Sequence, residues 1–305
     1  MKKFLIYSIV WLILVLVSLE IALRVFGLSA KTMPTQNIDN NYLFEPGNSG
    51  FRIKGGLKEI NCYYEINKQG FNSIVDFDEL DYKNLNIALI GDSYIQGFDT
   101  DVNHSIGRQL EEMLGKNVVV HEYGRAGANI IDYALAYQQF VKSKKYDFVF
   151  VLATDKDLEA TKPSYMGQGK RVPKQSLIRK VYDNIHVVRY LNINQGLGVH
   201  FNKLINDGPE SIDRIHNENL PDEIITKESY LATINQDALK LLPKEVVFLY
   251  EEDRMNDFFV STYDYNFKKV IHFKLPKDHG LDAHWNINGR YNCAKAMAEY
   301  IQLNK

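Results

Sequence analysis

The sequence has little of several features that define whole classes of protein. Two cysteines in 305 residues are too few for a disulfide scaffold. With 36 Lys and Arg against 38 Asp and Glu, the net charge is −2, so the chain has no basic excess with which to bind nucleic acid. The hydrophobic share of 45% excludes a disordered chain. A folded protein of one or two domains remains.

Long apolar runs are also scarce, and the one that occurs lies at the start of the chain. Phe4 to Leu19 carries no charge, and with the residues that follow it reaches the length of about 20 that a membrane-spanning helix needs. Residues 1–28 are therefore predicted to be an N-terminal membrane anchor. Glu20 and Arg24 lie one helical turn apart near its far end, where they can pair with each other.

A cleaved signal peptide is the alternative interpretation of this segment. The apolar stretch exceeds the usual core of about 7 to 15 residues, and Leu28-Ser29-Ala30 is a poor cleavage site. Lys2 and Lys3 precede the run, and the positive-inside rule assigns them to the cytoplasm. We expect a single-pass protein whose remaining chain lies outside the cytoplasm. In that compartment Cys62 and Cys293 could pair, although two separate buried thiols fit the sequence as well.

The rest of the chain divides by composition. Residues 29–58 are rich in Asn, Pro and Gly and are predicted to be a tether. Residues 60–66 alternate apolar and polar side chains, which indicates a half-buried strand at the start of a domain spanning 59–305. Glycines and prolines interrupt residues 159–225, which are predicted to be an insertion with one helix near Gln175 to Leu191.

Short, wholly apolar runs recur along this domain. Runs without polar alternation are typical of parallel strands covered on both faces. Helical patterns lie between them, and a closing helix is predicted from about Gly289. This order predicts an α/β sandwich with a central parallel sheet, in which ligands bind at the carboxyl ends of the strands. The runs are residues 86–90, 118–120, 148–152, 246–250 and 270–273.

The loop after the first of these strands contains a candidate nucleophile. Gly91-Asp92-Ser93 places a serine where the chain must turn sharply at the mouth of the sheet. The surrounding residues match neither a phosphate-binding P-loop nor a dinucleotide fingerprint. An ordinary turn with Ser93 as a helix cap is the alternative.

A candidate base lies near the other end of the chain, just before the closing helix. A serine hydroxyl becomes a useful nucleophile when a base removes its proton, and that base needs an acceptor to fix its tautomer. His284 and Asp282 are two positions apart, so in extended chain their side chains project the same way. A chance pairing of one histidine among eight with a nearby Asp is the alternative.

The combination of the two motifs is far rarer than either one. Gly91-Asp92-Ser93 after the first strand with Asp282-x-His284 before the last helix resembles the SGNH, or GDSL-type, hydrolases, in particular their bacterial members with a membrane anchor. The resemblance covers roughly residues 60–305. It implies a three-layer flavodoxin-like α/β/α fold and a serine-dependent esterase or acyl-transfer site.

The resemblance also implies a role for each residue. Ser93 would be the nucleophile, His284 the base and Asp282 the residue that orients the base. The oxyanion would be held by the backbone N–H of Ser93 and by that of a glycine after the second strand. Gly127 matches that glycine, with Gly124 as a second candidate.

Two positions depart from the family pattern. Where the family has an Asn that donates its amide to the oxyanion, this chain has Thr154 or Asp155. Thr154 could donate one hydroxyl hydrogen bond, whereas an ionised Asp155 would oppose the developing charge. Loss of one oxyanion donor typically costs about 10² to 10³ in rate. The family commonly has Asp-x-x-His, whereas here Leu281 occupies that Asp position and Asp282 lies one residue closer to His284. The resulting spacing Asp282-x-His284-Trp285 is similar to that of the alginate O-acetyltransferase family.

Three functions are compatible with these residues. The first is a membrane-anchored esterase that acts on an ester, such as an O-acetyl group, through an acyl-enzyme. The second is O-acyl transfer to a cell-envelope polysaccharide, since a sugar hydroxyl can replace water in the second step. The third is a catalytically silent protein that binds a glycan or organises an assembly. The expected partners are a small-molecule or glycan ester and the membrane, with no nucleic acid, no cofactor and no metal.

Overall fold

The structure is a computed structural model, and it describes residues 2–30, 33–78, 80–167, 181, 184–195, 226–251, 257–263, 269–273 and 284–305. The chain divides into two compact units. The anchor unit comprises Met1–Thr32, Phe51–Asn61 and Pro173–Ile224; the sheet domain comprises Met33–Gly50, Cys62–Val172 and Ile225–Lys305.

The elements below are numbered in chain order. The helices that we use are α1 (Lys2–Val25), α2 (Ser93–Gln96), α3 (Ile106–Leu114), α4 (Ile130–Ala136), α5 (Asp155–Leu158), α6 (His186–Gln195), α7 (Lys227–Thr233), α8 (Gln236–Lys240), α9 (Asp257–Tyr263) and α10 (Ile287–Asn304). The strands are β1 (Thr35–Ile38), β2 (Asn41–Phe44), β3 (Ser49–Lys54), β4 (Ile60–Glu65), β5 (Leu85–Gly91), β6 (Val118–Gly124), β7 (Phe148–Leu152), β8 (Val247–Glu251) and β9 (Lys269–Phe273).

The sheet domain is built on a parallel sheet of five strands in the order β6-β5-β7-β8-β9. The five strands coincide with the five apolar runs, so the prediction of a central parallel sheet is confirmed. Counted along the chain the order is second, first, third, fourth, fifth, which is the flavodoxin-like order. In that order ligands bind at the carboxyl ends of the first and third strands, where the connections change direction. Here those strands are β5 and β7.

Helices cover both faces of the sheet because successive side chains of a strand point to opposite sides. Ile87 and Leu89 of β5 pack in one core with α3 and α10, whereas Ala88 and Ile90 pack in a second core with α4. The result is the three-layer sandwich that the sequence analysis expected. Cys293 of α10 is buried in the first core and forms no disulfide with Cys62.

The segment predicted as a tether differs from that prediction, since it contains three strands. β1 and β2 form an antiparallel hairpin, and β3 pairs with β4. Leu43 is fully buried in the second core, and Asn41 donates to Gln139 Oε1 at 2.8 Å and accepts from the Gly167 N–H at 3.0 Å. A few buried side chains attach the hairpin of β1 and β2 to the rest of the sheet domain. The polar average composition of the segment gave no sign of this burial.

The anchor unit contains α1 and α6. α1 has 24 residues and a mean hydropathy of 2.5 over its most apolar window, so it is long and apolar enough to cross a membrane; a signal sequence would look the same. Arg24 Nε donates to Glu20 Oε1 at 2.7 Å, in accordance with the predicted pair. α6 lies at the C-terminal side of the predicted helix near Gln175 to Leu191, and residues 175–180 are outside the described residues.

Candidate active site

Ser93 begins a short helix directly after β5, an interior strand of the sheet. Asp92 caps this helix by accepting the Tyr94 N–H at 3.0 Å, and Gly97 ends it with φ 71°, donating its N–H to the Ser93 carbonyl oxygen at 3.0 Å. An Asp cap and a left-handed glycine are what a single helical turn needs at its two ends. The serine therefore lies at the carboxyl end of β5.

Two glycines allow this helix to lie close to the sheet. A Cβ atom on Gly91 would meet Ile95 Cγ1 at 2.4 Å, and one on Gly124 would meet the Gln96 backbone nitrogen at 2.2 Å. Gly124 is paired with Gly91 across β5 and β6, so its role is to permit close packing. Gly127 lies in the following turn with φ 76°, a conformation that favours glycine. Gly127 stays the candidate for the second oxyanion donor.

The fold brings His284 to Ser93 from the far end of the chain. His284 Nε2 lies 2.9 Å from Ser93 Oγ, within hydrogen-bond reach. The neighbouring residue Trp285 is buried. Its ring centroid lies 4.5 Å from that of Tyr94 with the two rings tilted by 46°, and its indole N–H donates to Glu251 at 3.1 Å. A hydroxyl and an imidazole in this arrangement can exchange a proton.

The other imidazole nitrogen faces a carboxylate that the sequence analysis did not single out. Asp99 Oδ2 lies 3.5 Å from His284 Nδ1, and the Asp99 side chain is 10% exposed. Asp282, the predicted orienting residue, lies outside the described residues. One Asp among 38 acidic residues gives no signal by itself. Asp99 could have been noticed because it follows the nucleophile in the same loop.

Thr154 and Asp155, at the carboxyl end of β7, both have partners within the fold. The Thr154 hydroxyl donates to Asp157 Oδ2 at 2.9 Å and its N–H donates to the same oxygen at 2.8 Å, which forms the cap of α5. Asp155 Oδ1 accepts the Tyr230 hydroxyl at 2.6 Å. Thr154 would have to leave this cap in order to donate to an oxyanion.

A pair of buried carboxyl groups lies beside the nucleophile. Burial, together with the negative charge of Asp92, raises the pKa of Asp157 to about 7. Burial also raises the pKa of Asp92, while the Tyr94 N–H and the charge of His284 act in the opposite direction. Both acids line one small cavity with Thr154. Below neutral pH this pair therefore retains a proton, which limits the negative charge near Ser93.

Arg125, a cation in a loop near the site, is engaged with other groups. The Arg125 guanidinium lies 3.9 Å above the Phe44 ring and donates to Gln96 Oε1 at 3.4 Å, while Lys156 is exposed on α5. Among the described residues, no cluster of three or more His, Cys, Asp or Glu side chains could hold a metal ion. The chemistry available here is that of a serine, a histidine and carboxylates.

No model of a known protein family matches the sequence, and no curated protein matches it. Solved structures with a similar fold do match. A lipolytic protein of the G-D-S-L family from Veillonella parvula is 11% identical, with 71% of this chain and 98% of that chain covered and a TM-score of 0.37. A lipase/acylhydrolase from Enterococcus faecalis is 13% identical, with 72% and 96% covered and a TM-score of 0.37.

A third similar structure is a carbohydrate esterase family 2 enzyme from Corynascus thermopiles. It is 13% identical with a TM-score of 0.36, and the match covers 72% of this chain and 65% of that one, slightly less than two thirds of its length. Likeness of this degree carries no argument about chemistry. The strand order identifies the fold, and the chemistry open to the site follows from the geometry around Ser93.

Proposed function

We propose that this protein is a serine ester hydrolase in which Ser93 is the nucleophile and His284 the general base. The observation that carries the proposal is the distance of 2.9 Å between Ser93 Oγ and His284 Nε2, at the carboxyl edge of the sheet. The helix cap is Asp92, so capping does not account for Ser93, and it does not account for a histidine brought to the Ser93 hydroxyl from the far end of the chain.

The reaction follows from the positions of these two groups. His284 accepts the proton of Ser93 as the serine oxygen bonds to the ester carbonyl carbon, and the proton then passes to the departing alcohol as the carbon–oxygen bond breaks. Water attacks the resulting acyl-serine by the same route, releases the acid and restores the hydroxyl. The backbone N–H groups of Ser93 and Gly127 are the proposed donors to the oxyanion.

The rate is expected to be modest for this type of site. Thr154 already donates to Asp157, and the Asp155 carboxylate supplies no donor. With two oxyanion donors in place of three, the expected loss is about 10² to 10³ in rate. Activated esters with good leaving groups are therefore the substrates on which to look first.

The test uses the full-length protein in detergent micelles. We expect it to hydrolyse p-nitrophenyl acetate and to be labelled on Ser93 by a fluorophosphonate, and we expect Ser93→Ala to lose both properties. Ser143→Ala is a matched control, because Ser143 is exposed and precedes the amino end of β7, at the opposite edge of the sheet. The proposal is refuted if the wild-type protein shows no turnover and no labelling.

Acyl transfer and silent binding are separated by two further measurements. If the acyl-enzyme acylates an added oligosaccharide faster than water hydrolyses it, the protein is an O-acyltransferase. The partners already held by Thr154 and Asp155 are the observation that favours a silent glycan-binding protein. Retention of the cellular phenotype in Ser93→Ala cells would establish that alternative.

We propose further that α1 stays attached as an anchor and that the catalytic domain lies outside the cytoplasm. The end of α1 is built into the anchor unit: Glu20 accepts the N–H groups of His186 at 3.1 Å and Val187 at 2.9 Å, and so caps α6. Arg24 donates to the Asn184 carbonyl oxygen at 2.9 Å, and Leu23 is buried. Cleavage after residue 28 would leave the start of α6 without these partners.

The mass of the mature protein tests this anchoring. We expect the intact chain to contain α1, and a reporter fused to the C-terminus to be active only outside the cytoplasm, in accordance with Lys2 and Lys3 on the inner side. A mature chain that begins near residue 30 would contradict the anchor and leave the esterase proposal untouched.

A further inference from the structure

The loop that follows the nucleophile helix holds Asp99 firmly in position. Phe98 is buried and contacts the rings of Phe44 at 5.2 Å and Tyr64 at 5.6 Å. Thr100 on the other side is also buried, and its N–H donates to the Gly97 carbonyl oxygen at 3.2 Å. Phe98 and Thr100 thus hold the chain on either side of Asp99, which lies three residues after the last residue of the helix that begins at Ser93.

His284 lies between the hydroxyl and this carboxylate. Its Nε2 is 2.9 Å from Ser93 Oγ, and its Nδ1 is 3.5 Å from Asp99 Oδ2. The two nitrogens of an imidazole point in different directions, so a group on each side fixes both the orientation of the ring and its tautomer. A separation of 3.5 Å is long for a hydrogen bond, but such contacts commonly tighten when substrate binds.

A buried cation lies near this carboxylate. Arg290 of α10 is fully buried and donates to the Tyr94 carbonyl oxygen at 2.6 Å. Burial lowers the pKa of Arg290, and the negative charges of Glu122 and Asp99 act against that effect. Arg290 also lies directly beside Gly97, since a Cβ there would meet its Nη1 at 2.9 Å. The guanidinium therefore ties α10, which follows His284, to the helix of Ser93 and to the charge of Asp99.

We propose that Asp99 is the residue that positions His284, an inference that rests on the proposed function of Ser93 and His284. The Nδ1–H of the imidazole donates to Asp99, which leaves Nε2 free to accept the serine proton. The Asp99 carboxylate stabilises the imidazolium that forms, and no bond to it is made or broken. Unrelated serine enzymes reach this geometry with the three residues in different chain orders.

The experiment compares two carboxylates in the full-length protein in detergent. We expect Asp99→Asn to lower kcat for p-nitrophenyl acetate by about 10³ or more, with KM little changed. Asp282→Asn is expected to change kcat less than about threefold, and Asp99→Glu to recover part of the loss. The matched control is Asp101→Asn, because Asp101 caps the next turn of the same loop and Asn is an equally good cap.

A second readout does not require turnover. In protein labelled with ¹⁵N-histidine, and assigned with His284→Gln, the proton on His284 Nδ1 should resonate far downfield in the wild type and in Asp282→Asn. It should move upfield in Asp99→Asn. An upfield move in Asp282→Asn together with an unchanged signal in Asp99→Asn would overturn the assignment of Asp99.

The two proposals fail in different ways. If the wild type neither hydrolyses esters nor reacts with fluorophosphonate, the proposed function fails, and the resonance still decides which carboxylate holds the imidazole. If the wild type is active and Asp99→Asn keeps both its kcat and its downfield proton, the assignment of Asp99 fails while the esterase stands. Circular dichroism of each variant separates a local effect from a failure to fold.

Discussion

Ser93 Oγ and His284 Nε2 lie 2.9 Å apart, although 191 positions separate them in the chain. The contact forms because α10 begins beside the helix that follows β5, where Arg290 donates to the Tyr94 carbonyl oxygen, and α3 and α10 pack in the same core. A serine in the first turn of a helix and a histidine just before another helix are common separately. Their meeting at the carboxyl edge of a flavodoxin-like sheet makes this edge the place to test for chemistry.

The first prediction concerns the dependence of Ser93 and His284 on each other. Ser93→Ala and His284→Gln should each reduce esterase activity to near the background rate, and the double variant should be no worse than either single one. Because the two residues transfer one proton between them, removal of either one already abolishes their joint contribution to kcat, and removal of the second costs nothing more. Turnover of p-nitrophenyl acetate at saturating concentration measures this, and a double variant with the product of the two single losses would contradict it.

The second prediction concerns the missing oxyanion amide. Asp155→Asn should raise kcat, by up to about 10², because it removes a negative charge and supplies an N–H donor. The amide oxygen can still accept the Tyr230 hydroxyl, so the local fold should survive. Glu159→Gln removes a charge just after α5 and serves as the control. If both variants gain equally in kcat, the gain comes from the removal of a negative charge and not from a new N–H donor.

The third prediction concerns pH and stability. Burial is the main cause that raises the pKa of Asp157 to about 7. Between about pH 4 and 7 the Asp157 carboxyl is therefore protonated in the folded protein and ionised in the unfolded chain. Stability should therefore fall as pH rises across this window and level off above it, with Asp157 contributing at most about 4 kcal/mol.

Asp157→Asn should flatten that slope, because an amide oxygen can still accept from Thr154 and does not ionise. Trp285, which is buried beside the site, reports unfolding by urea once the other tryptophan is removed with Trp11→Phe. An unchanged slope between pH 5 and 7 would mean that Asp157 is not the group that carries the effect.

The fourth prediction concerns packing under the nucleophile. Gly124→Ala should lower both stability and kcat, since the added Cβ would lie 2.2 Å from the backbone nitrogen of Gln96 and push α2 away from β6. Gly56→Ala is the control, because a Cβ there finds only ordinary contacts, the nearest being Tyr190 Oη at 3.7 Å. Thermal unfolding and turnover together measure the outcome. Full activity in Gly124→Ala would show that the helix tolerates displacement.

Local patterns predicted the sheet well and the loops less well. Each of the five strands was visible as an apolar run because burial on both faces demands apolar side chains throughout. The hairpin of β1 and β2 was predicted as a tether, because Leu43 and a few neighbours supply its burial within a polar segment. The helix in the insertion, α6, was expected near its observed position. The carboxylate that caps its first N–H groups belongs to Glu20, in a distant part of the chain, and the local sequence gave no sign of it.

The amino-acid sequence by itself determined the α/β class, the apolar N-terminal helix and the candidate pair Ser93 and His284, because period, run length and motif spacing are local properties. Only the tertiary structure decided which groups surround that pair. It directs the Thr154 hydroxyl to Asp157, brings Asp99 to the second imidazole nitrogen and buries Arg290 between α10 and α2. The Thr154 contact is local, three residues along one helix cap, and it needs only that short helix to form. The other two contacts join segments far apart in the chain, and packing of helices on a sheet sets them, so no spacing along the sequence encodes them.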